Sequence, residues 1–149
     1  MKTIILVYPR VNYKDNYPCT WIPYSILALS KSINDYNVVL IDLNHEKDSI
    51  IDKVILEYGS EILSIAFSVI TGGGQIRNAL ECCKKIKKYN NSIKICFGGP
   101  HVNVLPIQTL NNAMVDDVLV GPGQRTFKLY LKYLENKILA NHVPGLLSK

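Results

Sequence analysis

The sequence has few cysteines, and none in a pattern that holds a metal. Cys19, Cys82, Cys83 and Cys96 show neither CxxC nor CxxxCxxC spacing, so neither a zinc site nor an iron–sulfur cluster is expected from them. All four read as reduced thiols, with Cys83 and Cys96 expected in the core. Cys82 and Cys83 are adjacent in a helical pattern, which predicts that they point to different faces. Long apolar runs are also missing. Ile4 to Val7, between Lys2 and the pair Pro9-Arg10, is too short for a signal peptide. Nothing approaches the ~20 apolar residues of a membrane span, so a cytoplasmic protein without a membrane partner is expected. There is no internal repeat, low-complexity stretch or interior linker.

What is present fits one globular domain. The 149 residues, 48% hydrophobic and 19% charged, suffice for a single core but not for a binding domain plus a catalytic barrel. The formal charge is +5, with its densest cluster at Lys84, Lys85, Lys87 and Lys88. These lie on the outer face of an amphipathic helical pattern and read as a solvated face, so no nucleic-acid partner is predicted.

Five β-rich runs stand out: Thr3 to Tyr8, Asn37 to Asp42, Ile62 to Phe67, Ile93 to Phe97 and Asp117 to Val120. They are almost continuously apolar, as strands covered on both faces are. Between and after them run helical patterns. The clearest are Ile76, Ala79, Leu80, Cys83 and Ile86, then Ile51, Val54, Ile55 and Tyr58, then Phe127, Tyr130, Leu131 and Leu134. Weaker helices are predicted over Ile22 to Asn34 and Pro106 to Ala113. Strict alternation predicts an α/β fold, a flavodoxin-like (Rossmann-like) doubly wound parallel sheet of five strands in the order 2-1-3-4-5. Residues 1–137 form the expected domain. The segment Ile138 to Lys149, with Pro144 and Gly145, reads either as a connection to another domain or as a tail packed on this one.

In such a sheet ligands bind beyond the carboxyl ends of the strands, and the unusual residues fall there. After the third strand comes Ser68-Val69-Ile70-Thr71-Gly72-Gly73-Gly74-Gln75, whose hydroxyls and free N–H groups open a helix and can hold polar ligand groups. Thr71 can equally be only an N-cap and the glycines only a turn. After the fourth comes Gly98-Gly99-Pro100-His101, where missing Cβ atoms let a bulky ligand approach the backbone, or where a tight turn needs positive φ. After the fifth comes Gly121-Pro122-Gly123-Gln124. Three such loops at one edge make a glycine-lined shelf suited to a large cofactor.

These loops resemble those of one family. SVITGGGQIRNALE is similar to the S-x-x-T-G-x-Q-I-x-x-A-L-E region of cobalamin-binding radical S-adenosylmethionine proteins, with extra glycine between the Thr and the Gln. FGGPH and DDVLVGPGQRTFKLYL resemble the family's GG-x-H and D-x-V-V-x-G-E-G-E-x-T-F stretches, but Pro122 and Gln124 stand where the family commonly has carboxylates. Val143-Pro144-Gly145-Leu146 resembles the I-P-G-L that leads toward the radical domain. The resemblance implies a cobalamin-binding module of a methyltransferase-type system, working with a radical S-adenosylmethionine catalytic domain in cis or trans. The iron–sulfur cluster and S-adenosylmethionine would belong to that separate or missing domain, and the chain alone is not expected to be catalytic.

Cobalamin domains of the methionine synthase and mutase type carry D-x-H-x-x-G after the first strand, whose His ligates cobalt. Here the loop reads Tyr8-Pro9-Arg10-Val11-Asn12-Tyr13-Lys14-Asp15, without His, which implies base-off binding with no histidine ligand. The resemblance places the cofactor against Tyr8, Pro9 and Arg10; against Ser68 and Val69 of the S-x-L element, with Ser68 bonding the buried base; and against Thr71, Gly72 and Gln75 under the corrin edge. Gly98, Gly99, Pro100 and His101 follow, then Gly121, Gly123 and Gln124 on the nucleotide tail, with Val120 as its apolar floor. His101 is expected to bond backbone or solvent rather than metal; His45 and His142 are expected on the surface. Tyr17, Trp21 and Tyr24 either cover a cofactor face or pack in the core or on the surface.

The alternative function is a flavodoxin-like electron carrier binding flavin mononucleotide, against which the first loop, Tyr-Pro-Arg-Val-Asn-Tyr, lacks a Ser/Thr/Gly-rich phosphate turn. A receiver-type regulatory domain needs an acidic pair after the first strand and an Asp after the third. Pro9-Arg10 and Ser68 occupy those places instead.

Overall fold

The computed structural model describes residues 1–11, 21–72 and 74–149; Asn12, Tyr13, Lys14, Asp15, Tyr17, Cys19 and Gly73 lie outside the described residues. Strands form where Ile, Val and Leu concentrate: β1 (Thr3–Tyr8), β2 (Asn37–Asp42), β3 (Ile62–Ser68), β4 (Lys94–Gly98) and β5 (Asp117–Leu119). They pair in parallel in the order β2-β1-β3-β4-β5, as the alternation predicts. A sixth strand, β6 (Leu146–Ser148), adds antiparallel to β5, with Leu146 opposite Leu119 and Ser148 opposite Asp117.

The sixth strand ties the segment after residue 137 to the domain. Gly145 adopts φ +73°, and a Cβ there would overlap the Val120 carbonyl. That close approach lets the Val120 N–H donate to the Gly145 oxygen at 2.9 Å. Val143 is buried beside Phe127, Tyr130 and Leu131, so the last residues pack on the domain.

Among the described residues six helices cover the sheet: α1 (Tyr24–Ser32), α2 (Ser49–Tyr58), α3 (Gln75–Tyr89), α4 (Pro100–Val104), α5 (Pro106–Leu110) and α6 (Gly123–Leu134). Strand side chains alternate between faces, which divides the core in two. Ile5, Val7, Ile65, Phe67 and Ile95 meet Ile51, Val54 and Ile55 of α2 and Ala79, Cys83 and Ile86 of α3. Ile4, Leu6, Ala66 and Cys96 meet Ile26 of α1 and Phe127, Tyr130 and Leu131 of α6. Phe67 and Phe97 stack across β3 and β4 at 5.2 Å between centroids.

Two local expectations are corrected. The helix predicted over Pro106 to Ala113 starts at Pro106 but ends at Leu110, and a further short helix, α4, precedes it, set off by Leu105, which leaves the helical region at φ −129° before the proline. Lys87 does not belong to a solvated face: its Nζ donates to Asp116 at 2.6 Å and to the carbonyls of Ile93 and Asn91, tying α3 to the loop before β5. Cys82 and Cys83, adjacent on α3 and so about 100° apart around its axis, are both fully buried in one cluster with α2 and the sheet.

Burial pushes the Cys82 thiol up to about 12, with the Asp48 charge adding to it, and burial lifts Cys83 and Cys96 well above the ordinary range. In the unfolded chain these thiols ionise near pH ~8.5. The folded protein therefore holds more protons above that pH, and stability falls as pH rises toward the folded values, by about 1.4 kcal/mol per pH unit for each such thiol. The urea midpoint is expected to be lower at pH 9.5 than at pH 7.5. An unchanged midpoint would show that the thiols are not protected by the fold.

Candidate cofactor site

The carboxyl edge of the sheet opens into a cavity of about 140 Å³ on the side covered by α1 and α6. Its floor is built strand by strand from Leu6, Ala66, Cys96 and Leu119, all buried. Ile26 and Leu29 of α1 and Phe127 of α6 form the walls. Its polar lining is the exposed Ser25 and Gln124 and the buried Ser68. The Ser68 hydroxyl donates to Ser25 Oγ at 2.8 Å. Among the described residues no lysine, arginine or carboxylate lines the cavity. Below it Tyr130 donates to the buried Asp117 at 2.8 Å.

The glycines at this edge divide their work. A Cβ on Gly99, which has φ +95°, would lie 2.8 Å from the Val69 oxygen and 2.9 Å from its nitrogen, so this glycine is needed to close the loop against β3 whatever is bound. A Cβ on Gly98 would meet only the Leu119 oxygen, at 3.9 Å. Gly98 is a strand residue facing open space, and its missing side chain keeps the cavity clear. At Gly123 a Cβ would press on Leu29 Cδ2 at 2.9 Å.

On the other side of the edge, one buried amide holds two loops together. Gln75 is fully buried; its Oε1 accepts from the Ile70 N–H at 2.8 Å and its Nε2 donates to the Pro9 carbonyl at 2.7 Å. Asn78, one turn on, accepts from the Arg10 N–H at 2.9 Å and donates to Asp48. The Arg10 guanidinium pairs with Asp48 at 2.8 Å and donates to the Leu43 carbonyl. Val11 N–H donates to Asn44, which also donates to Pro9.

Residues 12–131 match the family described as the B12 binding domain. The chain belongs to that family. The match favours cobalamin over flavin mononucleotide, which the shared fold left open. No curated protein matches the chain in sequence. Among solved structures, the radical S-adenosylmethionine methyltransferase TsrM from Kitasatospora setae, with tryptophan substrate and an S-adenosylmethionine analogue bound, is 15% identical with TM-score 0.80 over 99% of this chain and 28% of its own. The cobalamin-dependent S-adenosylmethionine radical enzyme OxsB, with aqua-cobalamin and S-adenosylmethionine bound, is 22% identical with TM-score 0.82 over 98% of this chain and 20% of its own. The apo form of OxsB gives a TM-score of 0.67. This B12-binding domain thus spans about a quarter of the length of those chains and shares their fold.

The B12-binding domain brings Ser68, Gly98, Gly99, Gly121, Gly123 and Gln124 together around one cavity. Other expected residues lie elsewhere. The Tyr8 side chain packs in the core with Ile4 and Leu6, and Gln75 and Arg10 are occupied as loop clamps, so none of these three side chains faces the cavity. Val69 and Val120 pack on the opposite face of the sheet, and the apolar floor is Leu119 rather than Val120: one step along a strand reverses the face. Thr71, Gly72 and Pro100 are exposed at the rim, as are Trp21 and Tyr24.

His101 also departs from expectation. Its backbone N–H donates to the Val69 oxygen, but its side chain is 9% exposed and its Nδ1 is buried without a partner. It lines a separate cleft with Ile76, Leu80 and Leu105, away from the cavity. Among the described residues no group of His, Cys, Asp and Glu is placed to hold a metal, and no helix is long and apolar enough to cross a membrane. Sequence reasoning missed Ser25, Leu29 and Cys96, because no glycine or motif marks them as anything but core and helix residues.

Proposed function

We propose that this domain binds cobalamin base-off, with the nucleotide tail in the cavity between the sheet and the helices α1 and α6, as the binding module of a radical S-adenosylmethionine methyltransferase-type system. The observation that carries the reading is the cavity itself: an apolar slot at the carboxyl edge, kept clear at Gly98 and open to solvent beside Ser68. An apolar cavity of about 150 Å³ takes up benzene, so a slot of about 140 Å³ has room for the six-membered ring of a flat base, with the rest of the base toward the open end. Ser68 is the proposed hydrogen-bond donor to the base. Gly121, Gly123 and Gln124 would hold the rest of the tail, and Thr71, Gly72 and Pro100 the side arms of the corrin. Pro9, Arg10 and Gln75 would act through the backbone they position.

When bound, cobalamin supplies a cobalt ion that can carry a methyl group. The chain's own contribution is to bind the tail, to orient the ring over the shelf and to leave its upper face toward a catalytic domain. That domain, in cis or trans, would bring the iron–sulfur cluster and S-adenosylmethionine, for which this chain has no set of three closely spaced cysteines.

The test is spectroscopic. Mixed with hydroxocobalamin and reduced to the cob(II)alamin state, the protein is expected to give the electron paramagnetic resonance signal of base-off cobalt without splitting from an axial nitrogen. A nitrogen-split signal in the complex would mean that a histidine or the base itself ligates cobalt.

A further inference from the structure

We propose that the tail cavity selects cobamides by the polarity of the tail base, admitting a benzimidazole and discriminating against a purine. The inference rests on the cobalamin-binding reading above and adds a specificity to it. The two ends of the cavity differ in chemistry. Of its polar groups, Ser25 and Gln124 are exposed and the buried Ser68 is bonded to Ser25, while its floor is Leu6, Ala66, Cys96 and Leu119.

The floor offers a ligand almost nothing to bond. Ala66 and Cys96 are 7% and 1% exposed. The Cys96 thiol, a weak donor at best, lies 3.9 Å from the Phe97 carbonyl. The nearest strong polar group beneath, Asp117, is absent from the lining and accepts from Tyr130. The depth of the slot depends on the two small side chains, which stand side by side in the sheet with Leu6 next to Ala66.

A tail base joins its ribose through the five-membered ring, so the six-membered ring enters first and meets this floor. In dimethylbenzimidazole that ring is a hydrocarbon edge with two methyl groups, which gain from burial against Leu6 and Leu119. In adenine it carries two ring nitrogens and an amino group. Those that reach the floor would lose water and find no partner, a loss that weakens binding by about ten- to a hundredfold for one or two unsatisfied groups.

The experiment measures equilibrium binding of three corrinoids to the full chain by calorimetry: cobalamin, the adenine-base cobamide, and cobinamide, which lacks the nucleotide tail. Cobalamin is expected to bind about tenfold or more tightly than either of the others. Equal affinity of cobalamin and the adenine form, with cobinamide weaker, would overturn the selectivity while leaving the tail site in place. Equal affinity of cobalamin and cobinamide would overturn the tail site itself, and the inference with it. In Ala66→Leu, whose longer side chain fills the floor, the advantage of cobalamin over cobinamide is expected to shrink to about threefold or less. A variant that melts with wild-type cooperativity and keeps the full advantage would place the base elsewhere.

Discussion

Replacing Gly98 by valine is expected to leave the domain folded and to weaken cobalamin binding by about tenfold or more. Gly98 ends β4 and pairs with Ser68, and valine suits a strand. Its Cβ would approach only the Leu119 oxygen, at 3.9 Å, so the two methyl groups project into the cavity. The neighbouring Gly99→Ala gives the contrast. Its Cβ would strike the Val69 backbone in a left-handed conformation, and the cost is about 2 kcal/mol or more of stability. Thermal melts and cobalamin titrations of the two variants separate the roles. Wild-type affinity in a folded Gly98→Val protein would remove the cavity from the binding site.

The second large effect is expected at Gln75, where substitution by leucine should destabilise the protein by about 2–4 kcal/mol. The change leaves the Ile70 N–H and the Pro9 carbonyl without the partners they have at 2.8 and 2.7 Å, in a site from which water is excluded. For a domain of this size the melting temperature should drop on the order of 10 °C. Affinity for cobalamin should fall as well, because the loops after β1 and β3 lose their common anchor. Gln75→Glu restores the acceptor for Ile70 but cannot donate to Pro9, so it should recover only part of the loss. A leucine variant that melts within about 1 °C of wild type would show that the two bonds contribute little.

The fold was readable because every strand but the last is an apolar run bounded by turn residues, and a helix stripe separates one from the next. The last strand was not: Leu146 to Ser148 is short and becomes a strand only through its partner β5 and the positive φ of Gly145. The site was readable as an edge and three glycine loops, and less readable as a set of side chains. Ser68 and Val69, or Leu119 and Val120, differ by one position and fall on opposite faces, a choice fixed by strand ends that sequence patterns locate only approximately. Gln75 has the polar character of a ligand-binding residue, and only its burial beside two backbone groups shows that it is a clamp. The apolar walls of the cavity look like any other core, since an apolar cavity is a core with one piece missing.

The cavity takes its floor from Leu6 and a wall from Phe127, nearly opposite ends of the sequence. A nascent chain therefore has no partial version of the site. β1 must wait for β3, and both for α6, before the slot exists, and such non-local closure is slow. A ligand held there recognises only the finished protein, so its binding energy adds in full to the stability of the folded state and raises the melting temperature with ligand concentration. Cofactor uptake is in this sense the last step of assembly rather than a nucleus for it.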